Sequence, residues 1–421
     1  MKTDLTMLKD RDILRKLAEQ QAKIAALPIH RETIAGWKRL NGLKPGRPLV
    51  WITEVPWPEL MKTEKELQLQ ATDEFLRGVE SRFRMTIYQW EHFRGDMVVE
   101  PKFYFYPVIH DTGFGIQEES DIIKGAQNYI PSRHFHPQIQ NEKDVLKIKM
   151  PEISLDREAT GQRYQTLCDL FGDILPVEKY GIGQQWFAPW DALVTWYGVQ
   201  EALTDLALRP ELVHAAMERL ISTYFHRMKQ YKELNLLKLD NGNFKIGSGG
   251  LGYTDELPGP DFIPARVRTQ DQWGCATAQI FSEVSPKMHE EFALRYEKPW
   301  LEQFGLTYYG CCEPLHHKID ILRSIPNLRK ISMSMRIDVD QAARNIGNRY
   351  VFSYKPNPAV LASDQWNIEQ ARQILSEVLE KTRRNGCTAE IILKDISTIR
   401  CEPRRLWEWA DMARDVTEQF A

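Results

Sequence analysis

The chain has 421 residues, is 43% hydrophobic and 27% charged, and carries a formal net charge of -3. Its length can bury a large core, as two ordinary domains or one large α/β barrel with additions, and its charge provides no basic field for nucleic acid. No apolar run approaches the roughly 20 residues that span a bilayer. The start, Met1-Lys2-Thr3-Asp4, leads into a charged amphipathic stretch rather than an apolar signal region, so a cytoplasmic protein is expected. Six cysteines in so long a chain do not form a disulfide framework; they are free thiols, metal ligands or catalytic groups.

From the amino end, residues 5–40 read as helical, with Ile13, Leu14, Leu17, Ile24 and Leu27 at helical spacing. Residues 42–48 are a turn-rich break. Leu49-Val50-Trp51-Ile52-Thr53 is the first clear strand and ends at Glu54. A long helix is expected around 64–83. Phe103-Tyr104-Phe105-Tyr106-Pro107-Val108-Ile109 reads as a strand that ends at His110-Asp111. The polar stretch 112–151 reads as an insertion over a pocket or an interface. It contains His134-Phe135-His136, a spacing that can chelate on a strand but is more simply read as a solvated loop. Helix resumes near 156–171.

Beyond Gly181 the pattern is regular. Helices are expected at 188–206 and 209–234, with Pro210 suited to a first helical position. Leu236-Leu237-Lys238-Leu239-Asp240 is a strand with a carboxylate at its end, and the glycine-rich stretch 241–252 is a loop. A helix opens at Ser285-Pro286, and a strand ends at Tyr309. Then come a helix near 315–324, a strand at 329–333, a helix at 339–346, a strand at 350–353, a helix at 367–384, a strand at 389–393 and a helix at 403–416. Strands and helices alternate, with about eight strands. This predicts the α/β class: a (β/α)8 TIM barrel over 46–421, an N-terminal helical extension over 1–45, and the insertion 112–151 in the first half.

In such a barrel the functional groups sit at the carboxyl ends of the strands. The residues found there are Glu54, His110, Asp240, the cluster Cys311-Cys312-Glu313, Ser334, Lys355, Lys394 and Asp395. Polar residues also end strands and cap helices everywhere, so each has a purely structural reading beside the functional one. Zinc takes thiolate, imidazole and carboxylate ligands, three of them in a catalytic site. Cys311 and Cys312 are adjacent, so one is expected to face the site and the other to pack. Cys401, in the loop after the last strand, is a second candidate thiolate; against both stands the frequency of free cysteine in ordinary cores. Trp190 and Trp273 lie near strand ends and read equally as core or as pocket walls.

Two stretches resemble a known family. Ala188-Pro189-Trp190-Asp191-Ala192-Leu193 with Arg209-Pro210-Glu211-Leu212-Val213, and Asp271-Gln272-Trp273-Gly274 with Ser285-Pro286-Lys287-Met288, resemble segments of the uroporphyrinogen decarboxylase superfamily. The resemblance covers residues from about 180 to the C-terminus. It implies a (β/α)8 barrel, in which dimers are common, so a homodimer is an open alternative. The arginine pair that a tetrapyrrole decarboxylase uses is missing from Trp51-Ile52-Thr53-Glu54-Val55-Pro56-Trp57-Pro58. Cys-Cys-Glu-Pro-Leu-His-His at 311–317 is similar instead to the corrinoid-associated methyltransferases, such as methylcobamide:coenzyme M methyltransferases, with Cys311 and Cys401 falling on their zinc cysteines. Tyr309 stands where those proteins have histidine, so a replacement ligand such as Glu313 or His110 is implied.

The resemblance therefore implies a cytoplasmic methyltransferase that moves a methyl group between a small O-, N- or S-methylated compound and a corrinoid (cobalamin), zinc-assisted, with the corrinoid on a partner protein. Asp240, Lys355 and Asp395 would position the substrate or transfer protons. His110, Tyr309, Trp190, Trp273 and Ser334 would line the substrate or cofactor site. One alternative is a metal-free decarboxylase or lyase acting on a smaller acid, with Asp240 or Glu54 as proton donor and Lys355 or Lys394 as cation. Another is a non-enzymatic corrinoid- or tetrapyrrole-binding accessory protein.

Overall fold

Short apolar runs closed by turn residues set the strands, and a computed structural model describes residues 2–123 and 132–421. The strands are β1 Leu49–Ile52, β2 Phe103–Phe105, β3 Ile109–Asp111, β4 Ser120–Ile123, β5 Ser132–Phe135, β6 Ile153–Leu155, β7 Val177–Lys179, β8 Trp273–Ala276, β9 Leu306–Tyr309, β10 Leu328–Met333, β11 Val351–Tyr354 and β12 Thr388–Leu393. Six of them form one sheet in the order β1-β12-β11-β10-β9-β8, every pair parallel. Most residues of these strands are buried on both faces, as expected of parallel strands covered by helices.

The expected strand at 236–240 is reduced to one parallel bridge, Ile182↔Leu237. Side chains link this segment to β8: Gln272 Nε2 donates to Ile182 O at 3.0 Å and to Lys238 O at 2.6 Å, and Trp273 N donates to Asp240 Oδ1 at 2.9 Å. β2 and β7 form a separate parallel pair. Among the described residues, strand pairing does not run continuously round a ring. Of the barrel expectation, the structure bears out the α/β class and a six-stranded parallel sheet, while a closed ring of eight strands is not formed among the described residues. The stretch after Phe105 does not continue as one strand, because Pro107 interrupts it and β3 turns away to pair antiparallel with β6.

Helices begin where side chains satisfy the orphan amides. Asp73, Asp156, Asp338 and Asn367 each accept from the backbone N–H three residues on. Pro189 and Pro210 occupy first-turn positions of Pro189–Tyr197 and Pro210–Glu233. The helix expected over 188–206 is two helices, broken at Gly198, which has φ of 86°. Within 112–151, β4 and β5 form an antiparallel pair, and Gln138 N and Ile139 N donate to Trp196 O; the part of this expected insertion at 124–131 lies outside the described residues. His136 pairs with Asp121 at 3.0 Å on the surface.

The helix Ile29–Asn41 covers the end of the sheet opposite the strand tips discussed below, while Lys2–Ala25 packs on the helices Glu74–His92 and Arg157–Phe171. Trp37 is fully buried there, among Leu49 and Val351 at the starts of β1 and β11. Its Nε1 donates to Asp96 O at 2.9 Å. Among the described residues, no helix is long and apolar enough to cross a membrane.

Candidate active site at the strand tips

The register of β1 against β12 pairs Ile52 with Leu393. The residues that follow, Glu54 on one strand and Lys394 and Asp395 on the other, are therefore neighbours. Thr53 N donates to Leu393 O at 2.9 Å, and Ile396 N donates to Glu54 O at 3.3 Å. Glu54 and Asp395 both have left-handed backbones, with φ of 52° and 56°. Such a conformation costs a side-chain-bearing residue about 1–3 kcal/mol, and it clusters at functional sites. Across the sheet, β9 ends in Gly310 and delivers Cys311 and Cys312 to the same place.

These tips enclose a cavity of about 360 Å³, lined by Glu54, Lys394, Asp395, Cys311, Cys312 and Lys245, with Gln184, Trp186 and Gln279 on its other walls. Lys394 is the hub. Its Nζ lies 2.6 Å from Asp395 Oδ2, 3.4 Å from Glu54 Oε2, 3.5 Å from Cys311 Sγ and 3.6 Å from Cys312 Sγ. The two sulfurs are 3.6 Å apart, and Cys312 Sγ lies 3.4 Å from Asp395 Oδ2. Lys245 Nζ donates to Glu54 Oε1 at 2.8 Å.

The charges follow from these contacts. The hydrogen bond from Cys312 holds the Cys311 thiol below its ordinary range; burial opposes this and the Lys394 charge assists it. The bond to Cys311, together with burial, pushes the Cys312 thiol up. Burial works against the Lys394 charge, but Cys311, Cys312 and Asp395 outweigh it and raise its pKa. Burial would raise the Glu54 pKa, yet the hydrogen bond with Asp395 and the charges of Lys245 and Lys394 hold it down to about 2. The site therefore presents a thiol of lowered pKa beside a charged ammonium.

The glycine-rich stretch 241–252 explains its composition here. It folds inward, with Lys245 bridged to Leu251, and brings Lys245, Gly247 and Ser248 to the cavity. Gly247 has φ of 55°, and a Cβ there would come within 2.7 Å of the Tyr308 ring. Beneath the cavity the sheet interior is polar. Ser248 Oγ donates to Tyr308 OH, Tyr308 OH to Ser353 Oγ at 2.9 Å, and Lys355 Nζ to Tyr308 OH and Ser353 Oγ. Burial pushes the Lys355 pKa down to about 7. Lys330 and Glu390, both fully buried, form an ion pair at 2.8 Å.

The structure thus brings together Glu54, Asp395 and Cys311 of the expected site and sets Lys355 below them. The other expected residues are elsewhere. Asp240 is completely buried, its Oδ1 engaged by Trp273 N, and burial pushes its pKa up to about 8. His110 is exposed, 3.9 Å from Asp156. Trp190 is buried, with Nε1 donating to Phe292 O, and buried Trp273 donates to Gly252 O. Ser334 is buried beyond the end of β10 and accepts from Arg336 N at 3.4 Å. Tyr309 sits in a closed network, its hydroxyl 2.6 Å from Glu297 Oε2 and 2.6 Å from His289 Nε2. None of these lines the cavity.

The expected zinc ligands do not assemble. Both Glu313 oxygens are engaged, one by Thr277 Oγ1 at 2.9 Å and the other by Cys311 N at 2.8 Å. Cys401 is exposed, its backbone N–H donating to Glu59, and it does not line the cavity. The place beside the Cys311 sulfur is taken by the Lys394 ammonium. Among the described residues, the group whose donor atoms lie within 4.8 Å of one another is Glu66, Glu91 and His92, none of which lines the cavity. The donor set expected from the sequence therefore does not fit the metal.

Sequence reading undervalued Lys394 as the hub, expected only one of the two adjacent cysteines at the site, and missed Lys245, which a loop supplies. The signal for Lys394 was its place directly after the apolar run Ile391-Ile392-Leu393; Lys245 had no signal beyond the glycines around it.

These features define an α/β protein with a parallel sheet and a cysteine–lysine site at its strand tips. No family model and no curated protein matches the chain. Among solved structures it is similar to a methyltransferase from Methanosarcina mazei, at 12% identity and a TM-score of 0.48, over 92% of this chain and 99% of the other.

Proposed function

We propose that the protein is an enzyme that moves a methyl group between a small O-, N- or S-methylated compound, held in the cavity, and a corrinoid presented at its mouth by a partner protein. The observation that carries the proposal is the Lys394 ammonium facing the cavity, with the Cys311 sulfur 3.5 Å away. When a methyl group leaves an ether, amine or thioether, negative charge grows on the heteroatom. A preorganised ammonium stabilises that charge in a site shielded from water. Lys394 holds this position, kept charged by Asp395 and Cys311. The corrinoid, when bound, supplies the cobalt that gives or takes the methyl group. Its ring is several times too large for a cavity of about 360 Å³, which supports binding at the mouth.

A second reading is a lyase acting on a small carboxylic acid. The observation in its favour is that Lys245 and Lys394 both face the cavity and could bind a carboxylate. It lacks a neutral acid there: Asp240 is sealed off and Glu54 is held ionised.

The test is incubation with cob(I)alamin under anoxic reducing conditions and a panel of methylated phenols, amines and thiols, followed by the visible spectrum. The expected result is substrate-dependent formation of methylcobalamin, slowed about 10²-fold or more in Lys394→Met. Release of CO₂ from a small acid with no methylcobalamin formed would replace this proposal with the lyase.

A further inference from the structure

Methyl transfer leaves one feature of the site unused: the second thiol. One sulfur beside Lys394 would serve the chemistry above, where it only helps to keep the ammonium charged, yet Cys312 Sγ lies 3.6 Å from Cys311 Sγ, in the same cavity. Cys275 also lines this cavity, but its Sγ donates to Gln185 O at 3.1 Å and burial pushes its pKa up to about 12, so it is an inert thiol. The pair at 311–312 is arranged differently. One sulfur is beside an ammonium, and the other is beside a carboxylate oxygen.

We propose that Cys311 and Cys312 are an oxidation site, which a hydroperoxide converts to a disulfide between adjacent residues and which thiols reopen. The first step is attack of the Cys311 thiolate on one peroxide oxygen. The S–O bond forms, the O–O bond breaks, and hydroxide leaves to become water, giving a sulfenic acid on Cys311. Cys312 sulfur then attacks Cys311 sulfur. The S–S bond forms, the S–O bond breaks, and a second water leaves. Two thiols lose two electrons, and one hydrogen peroxide becomes two waters. Lys394 favours the nucleophile in the first step. Asp395 Oδ2, 3.4 Å from Cys312 Sγ, accepts the proton in the second.

Adjacent Cα atoms are about 3.8 Å apart, closer than the spacing of ordinary disulfides. The bond formed here is therefore strained and easily reduced, the property of a switch rather than of a structural crosslink. Closing it removes Cys311 and Cys312 as partners of the Lys394 ammonium and leaves Asp395 and Glu54, so oxidation changes the charge balance of the site.

The test uses the full chain, equimolar hydrogen peroxide, alkylation and peptide mass mapping. In the wild type, the peptide carrying residues 311–312 is expected to lose two hydrogens and both alkylation sites, and to regain them with dithiothreitol. In Cys312→Ser the sulfenic acid has no partner thiol, and dimedone is expected to label Cys311; in Cys311→Ser no label appears at 312. Circular dichroism before oxidation verifies that each variant is folded, and the mass readout does not depend on the proposed methyl transfer. The proposal is overturned if both wild-type cysteines remain alkylatable after peroxide, or if Cys311 goes to sulfinic acid without passing through the disulfide.

Discussion

At Cys311, reactivity is a property of neighbours rather than of position. The nearest charge is Lys394 Nζ at 3.5 Å. Removing it in Lys394→Met leaves the Cys311 thiol with the Cys312 hydrogen bond, the cost of burial, the opposing Glu313 charge and the favourable Lys355 charge. The pH midpoint for alkylation of Cys311 by iodoacetamide is expected to rise by about one pH unit or more. An unchanged midpoint would show that Lys394 does not set the charge. Glu54 titrates in the opposite sense for stability. Its folded pKa, about 2, lies below the ordinary 4.5, so its contribution is complete above pH 4.5 and is lost as pH falls from there toward 2. Glu54→Gln is expected to flatten the fall of thermal stability over that window, which calorimetry at stepped pH would check. At this scale the sequence was informative at the tips of β1 and β12, where Glu54 and Asp395 close an apolar strand. It was silent where the fold supplies a partner from a distant loop, as with Lys245, 191 residues from Glu54. The same limit explains Asp240 and Tyr309. Both follow or end an apolar run, and both are turned into the interior, Asp240 against Trp273 N and Tyr309 against Glu297 and His289, which only the tertiary packing defines.

At the scale of the elements, β10, β11 and β12 carry more polarity inward than their sequences suggest. Lys330 on β10 and Glu390 on β12 reach each other across β11 with no exposure to solvent. A buried ion pair contributes little net stability, but breaking it leaves an uncompensated buried charge. Lys330→Met is expected to cost about 3–5 kcal/mol in denaturant unfolding, and Lys330→Met with Glu390→Gln to recover a large part of it. Equal losses in single and double variants would mean that the two side chains do not act as a pair. Most elements of the second half were legible because capping residues and apolar periods agreed: the helix expected at 339–346 is the helix Val339–Ile346. β8 was not read as a strand, since Trp273-Gly274-Cys275-Ala276 is short, contains glycine and shows no alternation. Its strand identity comes from pairing with β9, where Gly274 lies so close to Phe304 that a Cβ would meet the ring at 2.5 Å.

The whole molecule places its two ends to different purposes. The tips of the parallel strands hold the cavity, while the helix Ile29–Asn41 closes the opposite end. Trp37 anchors that closure. It is packed against Leu49, Val351 and Leu251, lies 5.8 Å from Lys330 Nζ, and approaches Gly250 so closely that a Cβ there would be 2.3 Å from its ring. Asn41 Nδ2 adds bonds to Leu251 O and Tyr253 O, on the return limb of the same loop that carries Lys245. The helix Ile29–Asn41 is therefore coupled to the site through that loop. Trp37→Ala is expected to cost about 3–5 kcal/mol by leaving a cavity in a tightly packed layer. It should also loosen 241–252, so that amide hydrogen exchange rises there more than in the helix Ile368–Arg384. Uniform acceleration across both segments would mean that Trp37 supports only global stability. Selective acceleration, with slower alkylation of Cys311, would show that the closed end holds the loop against the reactive one.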